Sequence, residues 1–146
     1  MNKPRFSLDT NVLIYAVDSL AGEKHTRALQ FVDQAVDEDC VLTLQVLSEF
    51  YFATTRKGKV PLLEAEQQVN DWQMLFPIIT VQPAFLNLAM KLAREHCISF
   101  WDALLLETVS AHGVTHLLSE DFQERRVISG VTICNPFEVE NPFKQG

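Results

Sequence analysis

The sequence predicts one α/β domain built on a parallel sheet with helices on both faces. Three observations carry this. Short apolar runs alternate with longer stretches whose apolar residues recur at helical spacing, and strands alternating with helices imply parallel pairing with both sheet faces covered. The length of 146 residues suits one domain, which would bury about 68–70% of the surface its unfolded chain exposes. No linker or internal repeat of domain size interrupts the chain.

Taken in order, residues 5 to 9 read as a strand and 11 to 18 as a short helix. Residues 23 to 36, "EKHTRALQFVDQAV", place Ala28, Leu29, Phe31, Val32, Ala35 and Val36 at helical spacing. Asp37, Glu38 and Asp39 form a solvated turn before a second strand, "CVLT", at 40 to 43. Residues 44 to 57 make an apolar helix that Gly58 ends, and Pro61 suits the first turn of the next helix, which runs to about Leu75. After Pro77, "IITV" at 78 to 81 is a third strand, and Pro83 opens a helix reaching about His96. Ser99 begins another helix, closed by Gly113. "THLLS" at 115 to 119 and "VTIC" at 131 to 134 are the fourth and fifth strands, separated by a polar segment from Glu120 to Gly130. The C-terminal tail, residues 135 to 146, repeats Asn-Pro-Phe and is expected to pack by its aromatics.

Bulk properties narrow the class. A 47% apolar and 21% charged composition is ordinary for a globular chain and excludes disorder. The apolar runs fall short of the roughly 18 residues that suggest a membrane span. Asp9 interrupts the N-terminal apolar stretch and no cleavage-site pattern follows, so the expectation is a cytoplasmic protein without a membrane role. Cys40, Cys97 and Cys134 are odd in number and lie beside apolar residues, as reduced core thiols do. His25, His96, His112 and His116 form no metal-spaced pair. A net charge of −7 argues against a nucleic-acid coat protein, but not against an enzyme that gathers its negative charge around metal ions. It also suits a partner with a basic arm.

Four carboxylates stand out. Asp9, in "RFSLDTNVLIYAVD", ends the first strand; a helix cap explains it equally well when it is taken alone. "HLLSED" repeats the arrangement after the fourth strand with Ser119, Glu120 and Asp121. In open α/β sheets, ligands bind beyond the carboxyl ends of the strands, where strand order reverses. Glu49 lies in "LTLQVLSEFYFATT", surrounded by apolar residues. A helix apolar nearly all round is buried, and a carboxylate there is costly unless paired or bound to metal. The alternative is a narrow polar face of Gln45, Ser48, Glu49 and Arg56 touching solvent. Asp102 sits three residues after Ser99, the spacing of a capping box. Capping and metal binding are compatible there, since negative charge is favoured at a helix N-terminus.

With these motifs, "LDTNVLIYA" at 8 to 16, the Glu inside an apolar helix, "SFWDALLLETV" at 99 to 109 and "LLSEDFQ" at 117 to 123, the chain resembles the PIN-domain ribonucleases. Within them it most resembles the VapC-type toxins of bacterial toxin–antitoxin pairs, over essentially the whole chain. The resemblance implies a single PIN-like domain with a five-stranded parallel sheet, homodimers, and a cognate antitoxin whose tail crosses the active cleft. Asp9, Glu49, Asp102 and Asp121 match the family's four acidic metal-site positions, with Asp121 preferred to Glu120. Asn11 and Ser119 match the polar residues that orient carboxylates or waters around them. One departure stands in "SEDFQERR", where Glu124 and Arg125 occupy the place at which relatives often carry Gly.

Converging carboxylates without His or Cys form an all-oxygen site suited to Mg²⁺ or Mn²⁺. Such an ion offsets the charge of a phosphodiester and activates a water. The expected reaction is metal-dependent endoribonucleolytic hydrolysis of RNA without a covalent intermediate; the resemblance implies 5′-phosphate and 3′-hydroxyl ends. Asp9 would anchor the ion, Glu49 and Asp102 complete its ligands, and Asp121 act at the edge. Arg56, Lys57 and Lys59, and Arg125 with Arg126, are candidate RNA phosphate contacts, and serve equally well as solvated surface charges. Trp101 could stack on a base, but packing in the core is the expectation.

Three rivals remain. A phosphotransfer receiver domain needs paired acids after its first strand and a Lys after its last, and "DTN" and "VTICNPFEVE" supply neither. A non-catalytic binding module would have no need of all four acids. A housekeeping RNA-processing PIN nuclease would share the chemistry, and the short architecture favours the toxin.

Overall fold

The computed structural model describes residues 3–56, 58–122 and 126–144. Its strands are β1 (Phe6–Leu8), β2 (Leu42–Thr43), β3 (Ile78–Ile79), β4 (His116–Leu118), β5 (Arg126–Ile128) and β6 (Val131–Cys134). Its helices are α1 (Thr10–Val17), α2 (Glu23–Val36), α3 (Leu44–Thr55), α4 (Leu62–Leu75), α5 (Pro83–His96) and α6 (Phe100–Ala111). None of the described helices is long and apolar enough to cross a membrane.

All five strands read from the sequence are present, but they do not form one five-stranded parallel sheet. The main sheet has four strands in the order β1-β4-β6-β5, and β2 and β3 form a separate parallel ladder. Phe6 joins the two: its N–H donates to the Asp39 carbonyl at 2.8 Å, and its carbonyl accepts from the Val41 N–H at 3.0 Å. β1 runs parallel to β4 with Phe6 opposite His116, and β4 parallel to β6 with His116 opposite Thr132. Every residue of β1 is buried, as expected of a strand covered on both faces.

β5 was not foreseen, and it is antiparallel to β6. Ser129 and Gly130 both take positive φ, 53° and 78°, between Ile128 and Val131. Two such residues make the tight turn that suits a hairpin, and a two-residue turn forces antiparallel pairing. The signal was the Ser-Gly pair between "VI" and "VT", inside a segment read only as polar. α6 braces this turn: the Ser110 hydroxyl donates to the Ser129 carbonyl at 2.7 Å.

Phe50 on α3 meets Trp72 on α4 edge-on, with ring centroids 4.8 Å apart, at the heart of one flank. Cys40 and Cys134 are buried, as core thiols should be, but Cys97 is exposed. It caps α5 in the left-handed conformation, φ 54°, a place that favours Gly.

The tail does pack by its aromatics. Phe143 stands edge-on to Phe6 at 5.0 Å, and Phe137 to Tyr15 at 5.3 Å. Arg27 on α2 clamps it, donating from Nη1 to the Phe137 carbonyl at 2.7 Å and from Nη2 to the Val139 carbonyl at 2.5 Å. Charged donors to backbone carbonyls contribute about 1.5–3 kcal/mol each when desolvated. Arg27→Met is therefore expected to free the tail, seen as faster proteolysis after residue 135 under native conditions.

Candidate active site

Asp9 follows β1 directly, and its N–H donates to the Leu118 carbonyl of β4 at 2.9 Å. The chain leaves β1 towards β2 on one side and meets β4 on the other, so Asp9 stands at the crevice where strand order reverses. The side chain is 4% exposed. Its Oδ1 accepts from the Thr10 N–H at 2.7 Å, so it also caps α1. Its Oδ2 accepts from the Ser119 hydroxyl at 2.7 Å. Both sequence readings of Asp9, cap and strand-end acid, hold together.

Ser119 is the hub of this corner. Fully buried, its oxygen also accepts from the Asp121 N–H at 3.1 Å and from Asn11 Nδ2 at 3.4 Å. One hydroxyl thus ties α1, the end of β1 and the turn after β4. Asn11 Oδ1 is buried with no partner among the described residues, an acceptor left available beside the carboxylates.

Asp102 lies in the first turn of α6, where the Ser99 hydroxyl accepts its N–H at 3.0 Å, as the capping pattern requires. Glu49 differs from expectation. It is exposed, because α3 turns the face bearing Leu44, Ser48, Glu49 and Phe52 outwards. The polar-face alternative holds, and the burial argument for Glu49 fails: apolar neighbours on a helix need not be covered within the same chain. Glu49 is nonetheless held on both oxygens. Thr10 Oγ1 donates to Oε2 at 3.1 Å, and Gln45 Nε2 donates to Oε1 at 2.9 Å while reaching the Trp101 carbonyl at 3.0 Å. Sequence reasoning assigned neither Thr10 nor Gln45 to this task; Gln45, one helical turn before Glu49, was the readable one.

The acids feel one another. Burial, with the negative charges of Asp121 and Asp102, pushes the Asp9 carboxyl up to about 6 against the hydrogen bonds from Ser119 and Thr10. Burial also raises Asp102, aided by Asp121 and Glu49 and opposed by Ser99. Asp121 and Asp102 thus lie within electrostatic reach of Asp9, and Asp121 and Glu49 within reach of Asp102. Glu120 belongs elsewhere: burial disfavours its charge, but the hydrogen bonds from Lys24 and Tyr15 outweigh this and hold its carboxyl below the usual range.

Among the described residues no three His, Cys, Asp or Glu side chains converge into a ready-made metal cage. The donor set still fits Mg²⁺ or Mn²⁺, because Mg²⁺ keeps several waters and takes one or two carboxylates together with substrate phosphate rather than a complete protein shell. Neutralising mutually repelling carboxylates is the service such an ion would perform here.

Beside Glu49 runs a groove of about 790 Å³ lined by Leu44, Phe52, Val81, Trp101 and Leu104. Trp101, expected in the core, is 61% exposed on its wall. Of the candidate RNA contacts, Arg56 is exposed at the end of α3, with its guanidinium 5.5 Å from the Phe52 ring centre. Lys59 lines a different cavity, with Ile14, Val17, Leu20 and Thr54. Arg126 is half-buried at the start of β5, opposite Ile133. Lys57 and Arg125 lie outside the described residues.

Fold and cleft define an α/β domain with acids gathered at the carboxyl ends of two adjacent parallel strands. The chain belongs to the PIN-domain family, whose model matches residues 7–128. No curated protein matches its sequence. Among solved structures it is similar to FitAcB from Neisseria gonorrhoeae, with TM-score 0.65, 17% identity and coverage of 92% of this chain and 99% of that one. It is also similar to a toxin–antitoxin complex from Klebsiella pneumoniae, with TM-score 0.63, 21% identity and coverage of 91% and 98%. A third is VapC20 from Mycobacterium tuberculosis, described as a toxin that cleaves the sarcin-ricin loop, with TM-score 0.64, 15% identity and coverage of 80% and 89%. At these identities the likeness is one of fold.

Proposed function

We propose that this chain is a metal-dependent endoribonuclease, hydrolysing RNA phosphodiesters with water, and that it acts as the toxin of a toxin–antitoxin pair. The observation that carries this reading is the buried Asp9 carboxylate at the strand crossover, opposed by Asp102 and Asp121. A fold that assembles repelling acids there needs a cation to use them. Mg²⁺ or Mn²⁺, when bound, supplies charge neutralisation for the phosphodiester and acidity for a water. Asp9, Glu49 and Asp102 hold it, with Asp121 at the edge. Ser119 fixes Asp9, and Asn11 fixes Ser119 while offering Oδ1 to a water. Arg56 and Arg126 are the described candidates for RNA phosphates.

The toxin role draws support from the solved structures of similar fold, which include toxin–antitoxin complexes. The exposed apolar groove beside Glu49 fits an antitoxin tail that lays apolar side chains against Phe52 and Trp101 and turns a basic one towards the acids. A homodimer and a cytoplasmic location belong to the same proposal. Exposed Leu62, Leu63, Met74 and Leu75 on α4 offer apolar surface for a second chain.

The test is incubation of the pure protein with structured RNA, with and without Mn²⁺. Cleavage is expected to need the ion, stop with a chelator, and fall on the order of a hundredfold in Asp102→Asn. Cleavage indifferent to chelator and to Asp102→Asn would overturn the assignment; RNA binding without cutting would favour the non-catalytic module.

A further inference from the structure

The turn after β4 carries two adjacent acids, and they part company. Asp121 donates its N–H to Ser119, which holds Asp9, and it lies within electrostatic reach of Asp9 and Asp102. Glu120 is gripped on both oxygens: the Tyr15 hydroxyl donates to Oε1, and Lys24 Nζ donates to Oε2 at 2.7 Å. The grip has its own foundation. Lys24 Nζ lies 5.1 Å from the centre of the Tyr15 ring and 5.6 Å from that of Phe137. Tyr15 meets Phe137 edge-on, and Arg27 clamps the Phe137 carbonyl. Parts of α1, α2 and the tail thus converge on one carboxylate that the nuclease chemistry does not use.

We propose that Tyr15 and Lys24 are positioning residues which, by holding Glu120 away, assign the cleft-edge position to Asp121. This rests on the metal role proposed for Asp121. Two neighbouring carboxylates on a short turn are interchangeable as oxygen donors, and a cation between Asp9 and Asp102 would attract either. Both oxygens of Glu120 are already committed to a cation and a phenol, so exchanging the acids would break both contacts. Meanwhile the Asp121 N–H stays on Ser119, which holds Asp9. An exposed ion pair alone contributes little to stability. Choosing between two orientations of one turn requires only a factor of ten, about 1.4 kcal/mol.

The experiment uses the full chain with Tyr15→Phe, which keeps the ring against Phe137 and removes only the hydroxyl, together with Lys24→Met and Lys24→Arg. Mn²⁺ affinity is read from the paramagnetic resonance of free ion, and exchange of the Asp121 amide by NMR in the metal-free protein. Tyr15→Phe and Lys24→Met are expected to weaken Mn²⁺ binding about tenfold and to speed Asp121 exchange by a similar factor. Lys24→Arg, which retains the ion pair, should restore both. Cleavage at saturating Mn²⁺ should stay within about twofold of the parent. Unchanged Mn²⁺ affinity and unchanged exchange in both weakened variants would overturn the proposal. If the parent protein binds no Mn²⁺, the nuclease reading fails instead, and exchange at Asp121 alone then decides whether the grip positions the turn.

Discussion

Asp9→Asn should lower RNA cleavage by on the order of a thousandfold while making the metal-free protein more stable at neutral pH. The two effects have one origin. The carboxyl is pushed up to about 6, chiefly by burial, from the ordinary aspartate value of 3.8. A raised acid contributes stability that is fully present below the unfolded value and is lost as pH rises through the folded one. Above about pH 6 the fold therefore carries a buried anion at a cost of roughly 3 kcal/mol. Asn removes that anion and keeps a similar shape, so the stability gain at pH 7.5 should largely vanish at pH 4. Cleavage by the parent moves the opposite way: it falls on acidification, because a protonated Asp9 no longer attracts a cation, and the fall begins at lower pH the more Mn²⁺ is present. Thermal melts and single-turnover rates across this range check both signs. An Asn variant less stable than the parent at pH 7.5 would mean that Asp9 is a structural cap and little more.

Ser119→Ala should be the most damaging loss of a single atom in the cleft. The hydroxyl donates to Asp9 and accepts from Asn11 and from the Asp121 N–H, all around one buried point. Unsatisfied buried groups cost about 1–3 kcal/mol each, and Asp9 loses the bond that best opposes its burial. The expected result is a destabilisation of about 3 kcal/mol, with a Tm lower by on the order of 10 °C. Mn²⁺ affinity should fall between ten- and a hundredfold, roughly. The pH midpoint of Mn²⁺ binding should also move upwards, which mere loosening of the fold would not produce.

The parts of the molecule legible in the sequence were those set by local rules. Asp9 after an apolar run and Ser99 three residues before Asp102 are read from capping geometry, and both caps are made. Helix positions followed from apolar spacing and from Gly and Pro. What escaped were features decided by what lies outside the chain or across it. Glu49 and Trp101 sit among apolar residues and were assigned to the interior, but the groove they border faces solvent, and periodicity does not say which apolar face has a partner within the chain. β5 escaped because a charged start hid a hairpin whose turn is Ser-Gly. The gap between the β2–β3 ladder and the main sheet depends on a single bridge at Phe6, which no local pattern encodes. Asp121 is preferred to Glu120 in the sequence by resemblance alone, whereas the contacts that hold Glu120 come from Tyr15 and Lys24, which are distant in sequence.

The pairing of Phe6 with His116 has a consequence for how the molecule comes into being. The first strand synthesised has its main sheet partner only after more than a hundred further residues have left the ribosome. Such long-range pairing folds slowly. Until that strand emerges, Asp9 has no Ser119 hydroxyl beside it and no Asp121 across from it, so the half-made chain carries Asp9 and Glu49 but not the cleft.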